Sequence, residues 1–291
     1  MHISEALEAY LLQLEADGRS EHTIGQARRH VRLLGDWLGS DRDVERIGHE
    51  DLARFLTADV ARLRADGKPR KASSANALRS SLRSFFGFLN AAAYAPANPG
   101  RLIKRAVVGT PLPKALTEDE HVRLLAALAS AETEADRRDR VLFELMLRTG
   151  VRIGSALGIR VEDVDAERRD IALRSMKYRR EHRVYLTGEM AALVGAWIGE
   201  RTDSWLFPGQ AGGHLTPRHV ARRLESCCKK AGIRAVSPHA LRHTFATKLY
   251  HRTGDLRLVQ EALAHASIAS TTRYAAVGSE RVRGAMAGEN A

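Results

Sequence analysis

Two clusters of turn residues divide this 291-residue chain and limit what it can fold into. Ala95-Pro96-Ala97-Asn98-Pro99-Gly100 is a turn cluster, and Gly109-Thr110-Pro111-Leu112-Pro113 reads as an extended linker. Each Pro locks its own φ and pushes the preceding residue out of the helical region. Upstream, apolar residues recur at helical spacing. Ala6, Tyr10 and Leu14 follow one another at intervals of four with Leu7 and Leu11 beside them, and Leu78, Leu82, Phe85, Phe86 and Leu89 form a second stripe. Short helices separated by Gly and Asp turns are expected to make a compact bundle over residues 1–105. Downstream, Thr117-Glu118-Asp119-Glu120 has the form of a capping box ahead of Val122, Leu125 and Leu128. A second domain is therefore expected over 117–291, with 106–116 as linker.

In the second part, Ile171 to Arg174 and Arg183 to Leu186 alternate apolar and polar residues around a polar segment, Ser175 to His182, which predicts a β-hairpin with a long basic tip. Helical patterns resume near Ala191 to Glu200 and after Thr216, Ser237 and Gly254. The many Ala, Leu, Glu and Arg residues favour helix. With only 5% aromatic residues, the cores should be built mainly from Leu, Val, Ile and Ala.

Lys and Arg number 46 against 35 Asp and Glu, a net charge of +11 with a sequence pI near 10.1. That balance suits a polyanionic partner, since each phosphate neutralised by Lys or Arg releases a condensed counterion; it also suits a basic protein with no nucleic-acid role. Between Gly67 and Thr117 stand Lys68, Arg70, Lys71, Arg79, Arg83, Arg101, Lys104, Arg105 and Lys114, with no acid among them. Such a run is either a solvated helix face or a source of phosphate contacts. Glu5 and Glu8 stand where a signal peptide would carry positive charge, and the apolar stretch Ala191 to Gly199 is too short to span a bilayer. Cys227 and Cys228 are adjacent, with neither disulfide nor metal-ligand spacing. A cytoplasmic, reducing location without membrane association is expected.

Four separated segments carry the chemistry: Arg148-Thr149-Gly150-Val151-Arg152-Ile153, the hairpin tip with Lys177, Ser237-Pro238-His239-Ala240-Leu241-Arg242-His243-Thr244, and Leu263-Ala264-His265 running on to Tyr274. Two Arg residues offer planar donor forks for the non-bridging oxygens of a phosphate in transfer. Ser237 as cap and Pro238 at the first helical position would start a helix, placing His239 and Arg242 on one face of its first turn. Its N-terminus adds a bias towards an anion. A Tyr phenol is a feasible covalent nucleophile once it loses its proton, and a Lys on a hairpin tip is a reasonable general acid. His239 and His243, at i and i+4, lack the glutamate of a His-Glu-x-x-His metal site, and no third ligand is evident.

These segments, taken in order, resemble the tyrosine recombinases. Thr149-Gly-Val-Arg-Ile resembles their first-arginine segment, Lys177 their β-hairpin lysine, and Ser237-Pro-His-Ala-Leu-Arg-His-Thr-Phe-Ala-Thr their His-x-x-Arg box. Leu263-Ala-His265 through Thr271-Thr-Arg-Tyr274 resembles the stretch that holds their second histidine and nucleophile. Glu162-Asp-Val-Asp165, Trp205-Leu-Phe-Pro208 and Gly254 to Gln260 agree as well, and the likeness is nearest to the short Xer-like and phage-integrase members.

The resemblance implies a mainly α fold: a helical N-terminal core-binding domain, then an α+β catalytic domain with a small antiparallel sheet, the pair closing around duplex DNA. It also implies roles. Arg152 and Arg242 hold the scissile phosphate, His239 stabilises it or accepts a proton, Lys177 protonates the leaving 5′ oxygen, His265 positions the phosphate, and Tyr274 forms a 3′-phosphotyrosyl bond. No metal, ATP or other cofactor is implied. The expected partner is double-stranded DNA bearing a specific recombination site, synapsed by a homo-tetramer or together with a related recombinase. The 17 residues after Tyr274 are similar to a family tail that docks on a neighbouring protomer. Lys68, Arg70, Lys71, Arg79, Arg83, Lys104, Arg105, Arg179 and Arg180 are the candidate DNA-contact residues.

One departure stands out. The family usually carries a carboxylate three residues after its first arginine, where this chain has Ser155; Asp163 is a candidate substitute brace for Arg152. A DNA-binding relative without strand cleavage and a metal-dependent nuclease built on His239 and His243 are the competing expectations.

Overall fold

The computed structural model describes residues 1–106, 115–174, 182–199, 204–209 and 212–263. The chain divides into two compact units, Met1–Pro111 and Leu112–Ala291.

The first unit is helical: α1 (Ile3–Ala16), α2 (Glu21–Leu38), α3 (His49–Thr57), α4 (Asp59–Arg62) and α5 (Ala72–Ala91). The Ser20 hydroxyl caps α2 by accepting from the Thr23 N–H, and Gly18 turns the chain between α1 and α2 in the left-handed region. Both stripes foreseen in the sequence face inward: Ala6, Leu7, Tyr10, Leu11 and Leu14 on α1, and Leu78, Leu82, Phe85, Phe86 and Leu89 on α5, are buried. They pack with α2 around one core, where the Tyr10 ring meets Phe85 edge-on at 5.5 Å and its hydroxyl donates to Ser84 Oγ at 2.8 Å. Asn76 ties down the chain's exit from the bundle, its amide accepting from the Ala106 N–H at 2.7 Å and donating to the Ala106 carbonyl at 3.1 Å.

The second unit is built around α7 (Glu134–Thr149), flanked by α6 (Glu118–Ala129), α9 (Gly188–Ile198) and α11 (Pro238–Thr253). The capping box forms as its residues suggest: the Thr117 hydroxyl accepts from Glu120 N–H, and the Glu120 carboxylate accepts from Thr117 N–H. In α7, Val141, Leu142, Phe143, Leu145, Met146 and Leu147 are all buried, so its C-terminal half is enclosed on every side at the centre of the unit. Its two buried carboxylates are both paired, as burial of charge demands. Asp139 accepts from Arg138 and from Arg223 on α10 (Pro217–Lys230), and Glu144 lies between Arg140 and Arg148. Arg148 also reaches Glu189 at 2.7 Å, which fastens α7 to α9.

The remaining elements are the short helices α8 (Ile153–Leu157) and α12 (Leu256–Ala262) and an antiparallel sheet in the order β1 (Val164–Asp165), β2 (Asp170–Leu173), β3 (His182–Tyr185). Ile171 pairs with Val184 and Leu173 with His182. The hairpin strands begin one residue earlier than the alternation suggests, and β1, with two residues, is too short to leave a periodic signal. The cores are built mainly from Leu, Val, Ile and Ala, as the scarcity of aromatic residues suggests. Of 7 phenylalanines, Phe55, Phe85, Phe86, Phe143 and Phe207 are among the largest fully buried side chains, so the few rings present are spent inside. Cys228 is buried in α10 and burial pushes the Cys227 thiol up to about 11, which makes it an inert packing group. Among the described residues no helix is long and apolar enough to cross a membrane.

Candidate active site

Helix α7 ends because Gly150 adopts φ +66° at its C-cap, where its N–H returns to the Met146 carbonyl. The turn buries Val151 and leaves Arg152 exposed as the N-cap of α8. Arg148 and Arg152, four residues apart in the same motif, thus have different tasks: the first is consumed in the α7–α9 ion pairs, the second points outward. Pro238 opens α11 at its first position, as expected. Ser237 stands at the N-cap but makes no side-chain capping bond; its carbonyl accepts from the Ala240 N–H at 2.8 Å instead. The Pro ring, already set at helical φ, starts the helix without a hydroxyl cap.

His239 and Arg242 do lie on one side of α11, and with Arg152 and Ser155 they line a single cavity of about 380 Å³ floored by Met146 and Pro238. The His239 ring meets that of His243 edge-on, with centroids 4.5 Å apart. Arg242 is only 3% exposed, and its guanidinium donates to the Gly150 carbonyl at 2.5 Å and to the Leu263 carbonyl at 2.6 Å. Gly150 and Leu263 are the C-caps of α7 and α12. The negative ends of two helices therefore hold this cation in place, which compensates its desolvation and aims it. Neither carbonyl was identifiable in the sequence, because the acceptors are backbone atoms brought together from positions 92 and 21 residues distant.

Gly150 is also sterically required. A Cβ there would run into the Phe245 ring and come within 2.7 Å of Leu263 Cδ2, on a backbone that side chains rarely adopt. Gly150→Ala should cost about 2–4 kcal/mol, combining left-handed strain with overpacking. In a thermal melt of the full chain this is a fall of roughly 5–15 °C; a change under about 2 °C would show that the turn relaxes freely.

Asp163 does not brace Arg152. One of its oxygens accepts from Arg174 Nε at 2.7 Å and the other from the Arg160 N–H at 2.9 Å, so its carboxylate is committed to the start of β1. Among the described residues, Arg152 takes part in no ion pair. His182 stands at the start of β3. It is half-buried, and burial together with the charges of Arg242 and Arg152 lowers its pKa, against the pull of Glu261.

The basic candidates of the first unit divide by burial. Lys68, Lys71, Arg83, Lys104 and Arg105 are exposed; Arg79 is half-buried and donates to the Ala75 carbonyl, while Arg70 donates to the Val60 carbonyl with its Nε buried. Lys177, Arg179, Arg180, His265 and Tyr274 lie outside the described residues.

The cavity brings together two guanidinium groups and an imidazole at a helix N-terminus, groups chemically suited to an anion such as a phosphodiester in transfer. Comparison with known proteins agrees. The Phage integrase family model matches residues 114–281, and the model described as Phage integrase, N-terminal SAM-like domain, matches residues 7–93. The chain is 32% identical over 280 residues to the tyrosine recombinase XerC of Chromobacterium violaceum, spanning 94% of this chain and 91% of that one. It is 30% identical over 290 residues to XerA of Pyrococcus furiosus, spanning 97% and 93%. Among solved structures, XerH bound to a palindromic difH substrate superposes with a TM-score of 0.75 at 24% identity, over 97% of this chain and 84% of that one. A lambda integrase dimer bound to a COC′ core site gives 0.73 at 20% identity, over 94% and 95%. The chain belongs to the phage integrase family, as a Xer-like tyrosine recombinase.

Proposed function

We propose that this chain is a site-specific DNA recombinase that cleaves and rejoins strands through a 3′-phosphotyrosyl intermediate on Tyr274, with no metal or ATP. The observation that carries this reading is the convergence of Arg152, His239 and Arg242 on one cavity in a chain of this family. The Tyr274 phenol oxygen attacks the phosphorus while its proton passes to a base, the role given to His239. The P–O bond to the 5′ oxygen breaks, and Lys177 protonates that oxygen. Arg152, Arg242 and His265 carry the charge of the pentacoordinate phosphorane. The covalent bond keeps the energy of the broken one until a second 5′-hydroxyl attacks, so no external energy source enters.

The partner is a duplex with a specific recombination site, synapsed by four protomers of this chain or of this chain and a related recombinase, in the cytoplasm. Lys68, Lys71, Arg83, Lys104 and Arg105, exposed on the first unit, supply sequence-independent phosphate contacts, as do Arg70, Arg79, Arg179 and Arg180.

The test is covalent capture. The full chain, in EDTA, is mixed with a pool of randomised duplexes carrying a nick, denatured, and the DNA-linked fraction is digested and sequenced on both sides of the link. The expected adduct maps to the peptide holding Tyr274 and returns an enriched DNA sequence. Sequence-specific binding with no adduct would place the chain among DNA-binding relatives that do not cleave, and an adduct on another residue would overturn the assignment of the nucleophile.

A further inference from the structure

Two side chains of α11, the helix that carries His239 and Arg242, fasten the segment that opens the second unit. The buried Thr244 hydroxyl accepts from the Leu116 N–H at 2.8 Å and donates to the Ala240 carbonyl at 2.9 Å. One turn further on, the Lys248 ammonium lies within 2.9 Å of both Glu118 carboxylate oxygens and 2.7 Å from His121 Nδ1, at the start of α6. An ammonium has three N–H donors and no lone pair, so Nδ1 is the acceptor. The His121 ring is therefore neutral in this contact, with its proton on Nε2. A protonated ring has no lone pair at Nδ1 and would set one cation against another at hydrogen-bond distance. The other charged groups that face the ring are Glu118 on α6, 3.7 Å away, and Arg148 of α7. Glu118 favours protonation, but it is exposed and already shared with Lys248. Burial first, then the charge of Lys248, lowers the His121 pKa; Arg148 adds to this and Glu118 opposes it.

We propose that His121 and Lys248 form a pH-sensitive clasp between α6 and α11, closed by the neutral ring and opened by its protonation. The clasp belongs to the fold and does not depend on the recombinase reading. Because the folded pKa is lowered, the unfolded chain takes up the proton first. The contribution to stability is complete above the ordinary histidine value near 6.5 and is lost as pH falls from there through the lowered folded value. Glu118 does not supply this response: the hydrogen bond from Lys248 holds its carboxyl below the usual range, so it stays ionised while His121 titrates. The Thr244 bond has no titrating partner and persists with the clasp open. Acid therefore loosens α11 one turn beyond Thr244 without releasing it.

The experiment uses the full chain without DNA and has two readouts. In the first, the ring carbon resonances of His121, identified as those missing from His121→Gln, are titrated by NMR. They should titrate below the ordinary histidine range in the wild type and at higher pH in Lys248→Met, because a donor and a repelling charge are removed together. In the second, Lys248→Met should lower the melting temperature by about 2–6 °C at about pH 8, the scale of one partly exposed hydrogen bond from a charged group. At about pH 5, below the ordinary histidine value, that loss should vanish or change sign, since removing Lys248 then relieves a repulsion. His121→Gln keeps an oxygen that accepts from the ammonium but cannot titrate, so in that chain Lys248→Met should cost as much at the acid pH as at the alkaline one. A His121 titration that Lys248→Met leaves unmoved overturns the proposal. So does a loss of stability that is equal at both pH values with His121 in place, which would mean that Lys248 acts through Glu118 alone. A pH-dependent loss that survives in His121→Gln overturns it as well, by assigning the response to another group. None of these measurements needs strand cleavage, so failure of the clasp and failure of the recombinase reading are seen separately.

Discussion

A Tyr274→Phe chain should bind its recombination site as tightly as the wild type and never become joined to it. The substitution removes one oxygen and leaves the ring, so packing and phosphate contacts persist while the atom that attacks phosphorus is gone. No other group in the four chemical segments substitutes for it: Arg152, Arg242 and Lys177 are cations with no nucleophilic lone pair at neutral pH, and phosphohistidine chemistry at His239 or His265 would require in-line placement opposite the leaving oxygen. Loss of a covalent nucleophile costs on the order of a millionfold in rate, which puts the adduct below detection on a denaturing gel while a native gel still shows the complex. Adduct formation by the Phe variant at even roughly a hundredth of the wild-type rate, far above that expectation, would mean that Tyr274 is a packing residue and that the family motif has been carried to the wrong position.

The second large effect is expected at Arg242, where one substitution strikes structure and chemistry together. Its guanidinium is buried against the Gly150 and Leu263 carbonyls, the terminal acceptors of α7 and α12. Arg242→Ala leaves both carbonyls facing a void without a donor, at about 1–3 kcal/mol for each unsatisfied group, and removes a cation that two helix dipoles favour. The melting temperature should drop by roughly 5–20 °C, and adduct formation by a factor of about a thousand or more, the scale of losing a preorganised charge donor. Arg242→Lys separates the two contributions. An ammonium keeps the charge for the helix ends, so much of the stability should return, yet it cannot fork to two carbonyls and a phosphate at once, so cleavage should stay at least about a hundredfold down. Recovery of cleavage in step with the melting temperature across the two variants would show that Arg242 acts only by holding the helices.

How much of this could be read without coordinates depends on whether the signal is local. The α1 and α5 stripes, the Thr117 capping box and the Pro238 start of α11 are legible because each is decided within one or two helical turns by periodicity, φ restriction or a side chain reaching its own backbone. The motifs proposed to hold Arg152, Lys177, His239, Arg242, His265 and Tyr274 are read from their order and resemblance, and of these residues Arg152, His239 and Arg242 line one cavity. Strand β1 is not legible, since two residues carry no period, and Ser237 reads as a capping side chain although a residue at the cap position need not make the cap bond.

By itself the sequence determined the family, the two-part helical organisation, the basic character and the order of the chemical residues, because these depend on side-chain identity and near-neighbour spacing. Only the tertiary structure decided which arginine faces the cavity and which is spent in ion pairs, that Asp163 belongs to Arg174 and not to Arg152, and that two helix C-termini grip Arg242. Each of those is a contest among partners far apart in the chain, settled by burial and distance, and neither quantity exists until the helices have packed.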